Sequence, residues 1–137
     1  MDVFASLHSL SDIGLFALRF GIGIIFVFHG NHKRAMWKME PSEQLPAGLL
    51  KILRLLSICE PLGGIAMIFG FLTQLAALGL GIIMLGAINL KANKMKQPFA
   101  GRQNAGWEFD FILLAGCVSV FFSGAGSIAL DRMLFGL

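Results

Sequence analysis

The stretch that decides the fold spans residues 47–90 and reads AGLLKILRLLSICEPLGGIAMIFGFLTQLAALGLGIIMLGAINL. It holds two apolar runs, at about Ala47–Phe71 and Thr73–Leu90, with only a tight connection between them. Each run is close to the ~20 residues that a helix needs to cross a hydrocarbon core of ~30 Å. Because the connection is so short, the two runs are predicted to form antiparallel neighbouring helices in a membrane.

Two more apolar runs flank this hairpin, at about Ile13–Gly30 and Trp107–Ser123. The segments 31–46 and 91–106 between the runs contain prolines, glycines and several charged residues, which is typical of loops. The sequence therefore predicts an all-α fold, an antiparallel bundle of four transmembrane helices. Residues 1–137 are expected to form a single transmembrane domain, with helices at about 13–30, 47–71, 73–90 and 107–123.

The composition also indicates a lipid environment. Hydrophobic residues make up 56 % of the 137 residues and charged residues only 14 %, and the mean hydropathy is +0.77. A water-soluble domain typically carries roughly 25 % charged residues. The eleven Lys and Arg residues are scattered among apolar and turn residues, without a motif that reads nucleic acid. The bilayer is therefore the predicted partner, and nucleic acid is not.

The distribution of basic residues predicts the orientation of the bundle. Most of them lie in or next to the segments 31–46 and 91–106, which four crossings place on the same side of the membrane. The positive-inside rule assigns such loops to the cytoplasm, so we predict an inner-membrane protein with both termini outside. Residues 1–12 hold two aspartates and no Lys or Arg, which favours a retained first helix over a cleaved signal peptide.

Small residues within the apolar runs are interpreted as packing residues. Cys59 and Cys117 form no CxxC motif and no Cys/His cluster with zinc spacing, so no metal site is predicted. A redox pair or a persulfide carrier is the alternative to a packing role for these cysteines. Close helix contacts are predicted where small residues stand four apart, at Ala17–Gly21, Ala66–Gly70, Ala77–Gly81 and Ala115–Ser119.

Ionisable residues inside the apolar runs are informative, because a charge at the bilayer centre costs at least ~2.5–3.5 kcal/mol. Arg19 lies about two turns inside the first run. At about 100° per residue it shares a stripe with Ile22, Phe26, His29 and Lys33, which we expect to face the bundle. Arg19 is predicted to bind a ligand or counter-ion, and the alternative is that it hydrogen-bonds neighbouring carbonyls.

Glu60 is a second ionisable residue in an apolar run. Pro61 follows it and removes a backbone donor, which can kink the helix at this point. Gly63 and Gly64 lie one turn later and leave the helix surface thin. A buried carboxylate in this setting fits a pocket with a polar occupant. The alternative is a glutamate that a basic partner holds for packing specificity.

Depth along the predicted helices brings most of the polar groups to the basic-loop end of the bundle, with Glu60 about 9 Å in from that end. Arg19 lies deeper, toward the opposite face. We therefore predict a polar vestibule that opens on the basic-loop side and is closed at depth by Arg19. No catalytic residue is assigned. The predicted ligand-binding residues are Arg19, His29, Lys33, Glu60, Asn89, Trp107 and Glu108.

Four short motifs occur in order along the chain. They are Arg19 with Gly23, the run FHG at 28–30 and Lys33; Glu60 with GG at 63–64 and GFLT at 70–73; AGWE at 105–108; and GAGSIALD at 124–131. Together they resemble the motifs of the DoxX family of small four-helix membrane proteins, over nearly the whole chain. Two positions depart from that pattern. Ala125 replaces the usual proline, and Asn89, Lys91 and Asn93 stand where the family often has a histidine.

The resemblance implies a role in redox metabolism. The family takes its name from the membrane subunit of a thiosulfate:quinone oxidoreductase, and other members are linked to sulfur and oxidative-stress metabolism. The resemblance suggests a redox-associated subunit that binds a quinone or a sulfur anion. Arg19 and Lys33 would bind negative charge on the ligand, and Glu60 and His29 would accept and donate protons. Because the sequence has no recognisable haem, flavin or iron–sulfur motif, electrons would come from a redox partner. The residues matched by the motifs are Arg19, His29, Lys33, Glu60, Trp107, Glu108 and Asp131.

Two other classes of function stay open at this point. A small proton-coupled transporter would use Glu60 as its membrane carboxylate, although small multidrug transporters carry that residue in the first helix and not the second. A non-catalytic membrane anchor would only recruit a partner protein. The sequence leaves open whether the chain is an enzyme, which ligand or cofactor it takes, and whether it forms a homo-oligomer.

Overall fold

The computed structural model describes residues 7–101 and 106–136, which are helical and contain no strand. The helices are α1 (Ser11–Lys33), α2 (Ala47–Phe69), α3 (Thr73–Asn89), α4 (Glu108–Ser123) and the short α5 (Leu130–Phe135). The predicted all-α fold is confirmed, and the four long helices agree with the four apolar runs to within a few residues. Residues 1–6, which bear on the signal-peptide prediction, and Ala105 of the AGWE motif lie outside the described residues.

Two of the helices continue into tighter or wider turns at the basic-loop end. A 3₁₀ turn at Arg34–Lys38 extends α1, and a π turn at Leu90–Lys94 extends α3. The 3₁₀ turn is held against α2, because Trp37 Nε1 donates to Ser57 Oγ at 2.9 Å. Arg54 of α2 also donates to backbone carbonyls of this segment, at Met36 and Met39. The loop after α1 is therefore anchored to α2.

Within the described residues, three helices are long and apolar enough to cross a membrane: α1 with its 3₁₀ turn, α2, and α3 with its π turn. The fourth, α4, has 16 residues and rises ~24 Å at ~1.5 Å per residue, which is less than a typical hydrocarbon core. The outward faces of the long helices carry exposed Leu, Ile and Phe side chains, such as Leu62 and Ile82. Such faces are stable against lipid and not against water.

Glycines allow α1 and α2 to approach each other closely. A Cβ added to Gly23 would lie 2.6 Å from the carbonyl oxygen of Gly64, and one added to Gly64 would lie 2.6 Å from that of Gly23. Gly30 meets the ring of Pro61 in the same way. The predicted contact residue Gly21 has open space where a Cβ would stand, so the α1–α2 crossing uses Gly23 and Gly30 instead.

Helix packing is tightest within the pairs α1–α2 and α3–α4. Between the pairs lies a core that includes Phe26, Met67, Leu80, Cys117 and Val120, all nearly inaccessible. Cys117 is one of these core residues and Cys59 is exposed, and both are free thiols. The packing role predicted for Cys117 agrees with this placement.

Polar contacts at the end of the bundle opposite the loops form what we call the terminal lock, made by the side chains of Asp12, Arg19 and Asp131. Arg19 donates to the carbonyl oxygens of Met67, at 3.0 Å, and Ile128. The lock therefore ties α1 to the end of α2 and to the C-terminal segment. Asp12 contributes by accepting hydrogen bonds from the backbone and side chain of Ser127.

Asp131 completes the terminal lock by capping α3 from the C-terminal end of the chain. Its carboxylate accepts the backbone N–H groups of Leu72, at 2.6 Å, and Thr73, at 2.8 Å. The first N–H groups of a helix have no partner within the helix and favour a negative charge. The turn itself needs left-handed backbone at Gly70 and Leu72, and the backbone N–H of Asp131 donates to Gly70 O at 2.8 Å.

Candidate functional site

A cavity of about 520 Å³ lies between the helix pair α1–α2 and the helix pair α3–α4, toward the basic-loop end. Its wall is mostly apolar and includes Phe26 of α1, Leu53 and Leu56 of α2, Ile83 of α3 and Phe109 of α4. All four long helices contribute to the lining. The polar lining residues are His29, Lys33, Glu60, Asn89, Lys91, Lys94 and Asp110.

The polar centre of the cavity on the α1–α2 side is an ion pair between Lys33 and Glu60. The Glu60 side chain is 1 % exposed and the Lys33 side chain 26 %, so the carboxylate is buried and the ammonium reaches in from the loop end. A buried carboxylate needs such a partner, because an uncompensated buried charge is strongly destabilising. Gly30 lets α1 come against Pro61, and this close approach brings Lys33 within reach of Glu60.

The α3–α4 side carries a second ion pair, between Lys91 and Asp110, with 2.6 Å between Nζ and Oδ2. Asp110 stands in the first turn of α4, and Lys91 stands in the π turn that extends α3. Turns of this type are frequent at functional sites. Each helix pair thus brings its own lysine–carboxylate pair to the cavity.

His29 and Asn89 also line the cavity, as predicted from their depth along the helices. The imidazole of His29 lies 5.6 Å from the ring of Phe109, measured between centroids, and so links α1 to α4. Asn89 ends α3, and its Oδ1 accepts a hydrogen bond of 2.7 Å from Asn93. With the Lys33–Glu60 pair, the structure brings together four of the seven predicted residues.

Three predicted residues do not line the cavity as the described residues define it: Arg19, Trp107 and Glu108. Arg19 does not close the cavity at depth, because its guanidinium is bound to backbone carbonyls in the terminal lock. Trp107 packs edge-on against Phe99 at 4.5 Å between ring centroids. The backbone N–H of Glu108 donates to Phe99 O at 3.0 Å, so Trp107 and Glu108 hold the segment before α4 in place.

Sequence reasoning did not select Lys91, Lys94 or Asp110 as ligand-binding residues, although the structure places all three on the cavity. The sequence did carry a signal for Lys91 and Asp110. An acidic residue in the first turn of one membrane helix and a lysine at the end of the preceding helix can meet at the same end of an antiparallel pair.

The cavity is open at its side. Ile52 of α2 and Met95, which follows the π turn, both line it and are 55 % and 56 % exposed. The helices α2 and α3 are joined at the turn near Gly70 and pack less extensively against each other than α1 packs against α2. The opening therefore lies between α2 and the segment after α3, beside the apolar outer faces of these helices.

The sequence model of the DoxX family matches residues 14–92, which is more than half of the chain. The chain belongs to the DoxX family. In this DoxX-family protein the match covers α1 to α3, including the Lys33–Glu60 pair, and stops before Asp110. The family and the apolar helices identify an integral membrane protein.

This DoxX-family chain is 33 % identical over 130 residues to a Bacillus subtilis (strain 168) protein named "Putative oxidoreductase CatD". The alignment covers 90 % of this chain and 89 % of the relative. No solved structure gives a significant match. The resemblance drawn from the motifs is thus confirmed at the level of the family.

Proposed function

We propose that this protein binds a membrane-borne quinone in the cavity and acts as a subunit of a redox system. The observation that carries the proposal is the amphipathic character of the cavity. An apolar wall that includes Phe26 and Phe109 suits a ring and an alkyl tail, and the Lys33–Glu60 pair offers hydrogen bonds to a polar ring oxygen. The volume of about 520 Å³ lies within the range of ~300–1,000 Å³ typical of small-molecule sites.

Charge in the cavity favours a quinone over a sulfur anion. Lys33 is already paired with Glu60, and Lys91 with Asp110, so among the three lysines of the lining only Lys94 has no ion pair within the described residues. The apolar wall would give an inorganic dianion no replacement for its lost hydration. A neutral ring with two carbonyls loses much less on entering such a site.

A redox role needs a partner protein. The ionisable side chains of the cavity can accept and donate protons, whereas the sequence has no recognisable motif for an electron-carrying cofactor. The name of the Bacillus relative, an oxidoreductase, supports a redox setting. We further propose an inner-membrane location with segments 31–46 and 91–106 in the cytoplasm, which places the Lys33–Glu60 pair near the cytoplasmic side.

The test is quinone binding by the purified protein in lipid nanodiscs, measured with the short-chain analogue decylubiquinone. Gly86 lines the cavity and has open space at its Cβ position, so Gly86→Phe should fill part of the cavity. Gly79 stands on the same helix, has equally open space and is not a lining residue, so Gly79→Phe is the matched control. We expect Gly86→Phe to weaken binding by about tenfold or more, since ~1.4 kcal/mol of lost contact suffices.

Other outcomes would support a different function. Wild-type protein that binds no quinone, or two variants that bind it equally, would contradict the proposal. Proton-coupled uptake into vesicles that stops in Glu60→Gln would instead favour the transporter. Native mass spectrometry of protein extracted with its lipids gives an independent check, because a retained molecule of quinone mass should be present in wild type and lost in Gly86→Phe.

A further inference from the structure

We infer that the cavity prefers the reduced, hydroxyl-bearing form of its ligand, a quinol, over the quinone, and that an oxygen of Glu60 makes the distinction. This inference rests on the proposed function and specifies the redox state of the ligand at that same site.

The starting observation is an unpartnered oxygen on a buried side chain. Glu60 Oε1 is bound by Lys33 Nζ, whereas Glu60 Oε2 is buried and finds no hydrogen-bond donor among residues 7–101 and 106–136. The side chain is 1 % exposed and Glu60 lines the cavity. Buried polar atoms nearly always have a partner, so an acceptor left over on a residue that lines a cavity indicates a donor on the occupant.

The chemistry of that oxygen sets the preference. In its ion pair with Lys33, Glu60 is a carboxylate, which accepts hydrogen bonds and cannot donate them. A quinone presents carbonyl oxygens, which are also acceptors, so its ring oxygen would face Glu60 Oε2 without a bond. A quinol presents hydroxyl groups, and one of these can donate to Oε2.

Donor groups near Glu60 do not create the opposite preference. Lys33 and Asn89 can donate to a quinone carbonyl, but they can donate equally well to a quinol oxygen, because a hydroxyl accepts as well as donates. The second carboxylate of the cavity, Asp110, lies with its Oδ2 2.6 Å from Lys91 Nζ in an ion pair, but like Glu60 Oε2 this oxygen forms no hydrogen bond among the described residues. Both carboxylates therefore favour a hydroxyl on the ligand over a carbonyl, and variants of Glu60 measure its share of the preference.

The experiment compares three probes of nearly the same shape, under anaerobic conditions and in lipid nanodiscs: decylubiquinol, decylubiquinone and the bis-O-methyl ether of decylubiquinol. We expect wild type to bind the quinol about tenfold tighter or more than the quinone, because an unmet buried acceptor costs at least ~1.4 kcal/mol, the equivalent of tenfold. The methyl ether has lost both O–H donors and should bind as weakly as the quinone.

Variants check that Glu60 is responsible. Glu60→Gln replaces an acceptor by an amide that can donate, so the ratio of quinol to quinone affinity should fall severalfold. Glu43→Gln makes the same change in an exposed loop position and should leave the ratio as in wild type. The three-probe comparison on wild type tests the inference even where Glu60→Gln folds poorly.

The outcomes separate this inference from the proposed function. Equal binding of quinol and quinone, or tight binding of the methyl ether, would overturn the inference and leave quinone binding in place. Binding of none of the three probes would overturn both. A preference for the quinol that is undiminished in folded Glu60→Gln would also overturn the assignment to Glu60.

Discussion

Arg19 carries a permanent charge inside an apolar helix and is fully buried. Its hydrogen bonds go to the carbonyl oxygens of Met67 and Ile128, which belong to the end of α2 and to the segment before α5. The carbonyl of Met67 also accepts the backbone N–H of Gly70 at 3.3 Å, whereas the carbonyl of Ile128 belongs to the segment between α4 and α5. A long cation with several donors can join two such chain segments, and a shorter or neutral side chain cannot.

Arg19→Met tests this structural role. The change keeps an unbranched side chain but removes the Arg19 donor from both carbonyl oxygens, and Met67 O keeps only the N–H of Gly70, so we expect the free energy of unfolding to fall by about 1–3 kcal/mol. Thermal unfolding in detergent, followed by tryptophan fluorescence, measures the loss. Arg132→Met, at an exposed position, is the control and should have little effect.

Ligand affinity decides between the terminal lock and the ligand site for Arg19. Folded Arg19→Met should bind decylubiquinone as wild type does, since Arg19 does not line the cavity. If Arg19→Met has normal stability but no longer binds decylubiquinone, Arg19 is part of the ligand site.

The contact between helices α1 and α2 depends on glycines, which have no side chain to hold the two backbones apart. Gly23 and Gly64 lie with their backbones against each other, and Gly30 lies against the Pro61 ring. Backbone contact at these points fixes the rotation and height of α1 on α2. The reach of Lys33 to Glu60 depends on that geometry, so the helix crossing also shapes the site.

Gly23→Ala and Gly21→Ala form a matched pair on α1. The methyl of Gly23→Ala would clash with Gly64 O, and overpacking of this kind should lower the free energy of unfolding by about 1–3 kcal/mol. Gly21→Ala meets open space and should be neutral or stabilising by up to about 1 kcal/mol, since alanine favours helix. Denaturation of both variants in the same detergent measures the difference. Equal effects would contradict close packing at Gly23.

At the scale of the whole molecule, two helix pairs enclose one cavity, and each ion pair lies within a single helix pair. No ion pair among the described residues joins α1–α2 to α3–α4 across the cavity. An occupant would supply contacts to both pairs at once. Its binding should therefore stabilise the assembled bundle and not one pair alone.

Ligand-induced stabilisation tests this arrangement. Decylubiquinol at about one hundred times its Kd should stabilise wild type by about 2.7 kcal/mol and raise its melting temperature. At the same ligand concentration Gly86→Phe, if it binds about tenfold more weakly, should be stabilised by only about 1.4 kcal/mol, whereas Gly79→Phe should respond as wild type does. An equal rise in all three proteins would indicate binding outside the cavity.

The sequence was sufficient to predict the helices and the depth of each polar residue along them. Apolar length predicts a membrane helix directly, and position within the helix brought His29, Lys33, Glu60 and Asn89 to one end. Depth does not identify neighbours, however. Arg19 was assigned to the vestibule because nothing in the pattern indicates that the carbonyl of Ile128, far along the chain, would reach it.

The residues that form the helix contacts could not be predicted from sequence spacing either. A pattern of small residues four apart selects Gly21, whereas contact with α2 falls on Gly23 and Gly30, since the direction in which α1 faces α2 depends on the whole bundle. The short α5 was not predicted because its six residues carry no periodic signal. Its role becomes evident only when Asp131 is seen at the start of α3.

The side opening of the cavity, next to Ile52 and Met95, decides which phase supplies the ligand. An opening that faces the hydrocarbon admits ligand molecules that are dissolved in the membrane. Such molecules diffuse in two dimensions and are far more concentrated in the membrane than in water. Occupancy would then follow the mole fraction of ligand per lipid. Adding empty lipid at constant total ligand would empty the site, and a site of modest intrinsic affinity could remain filled wherever the membrane holds enough quinone.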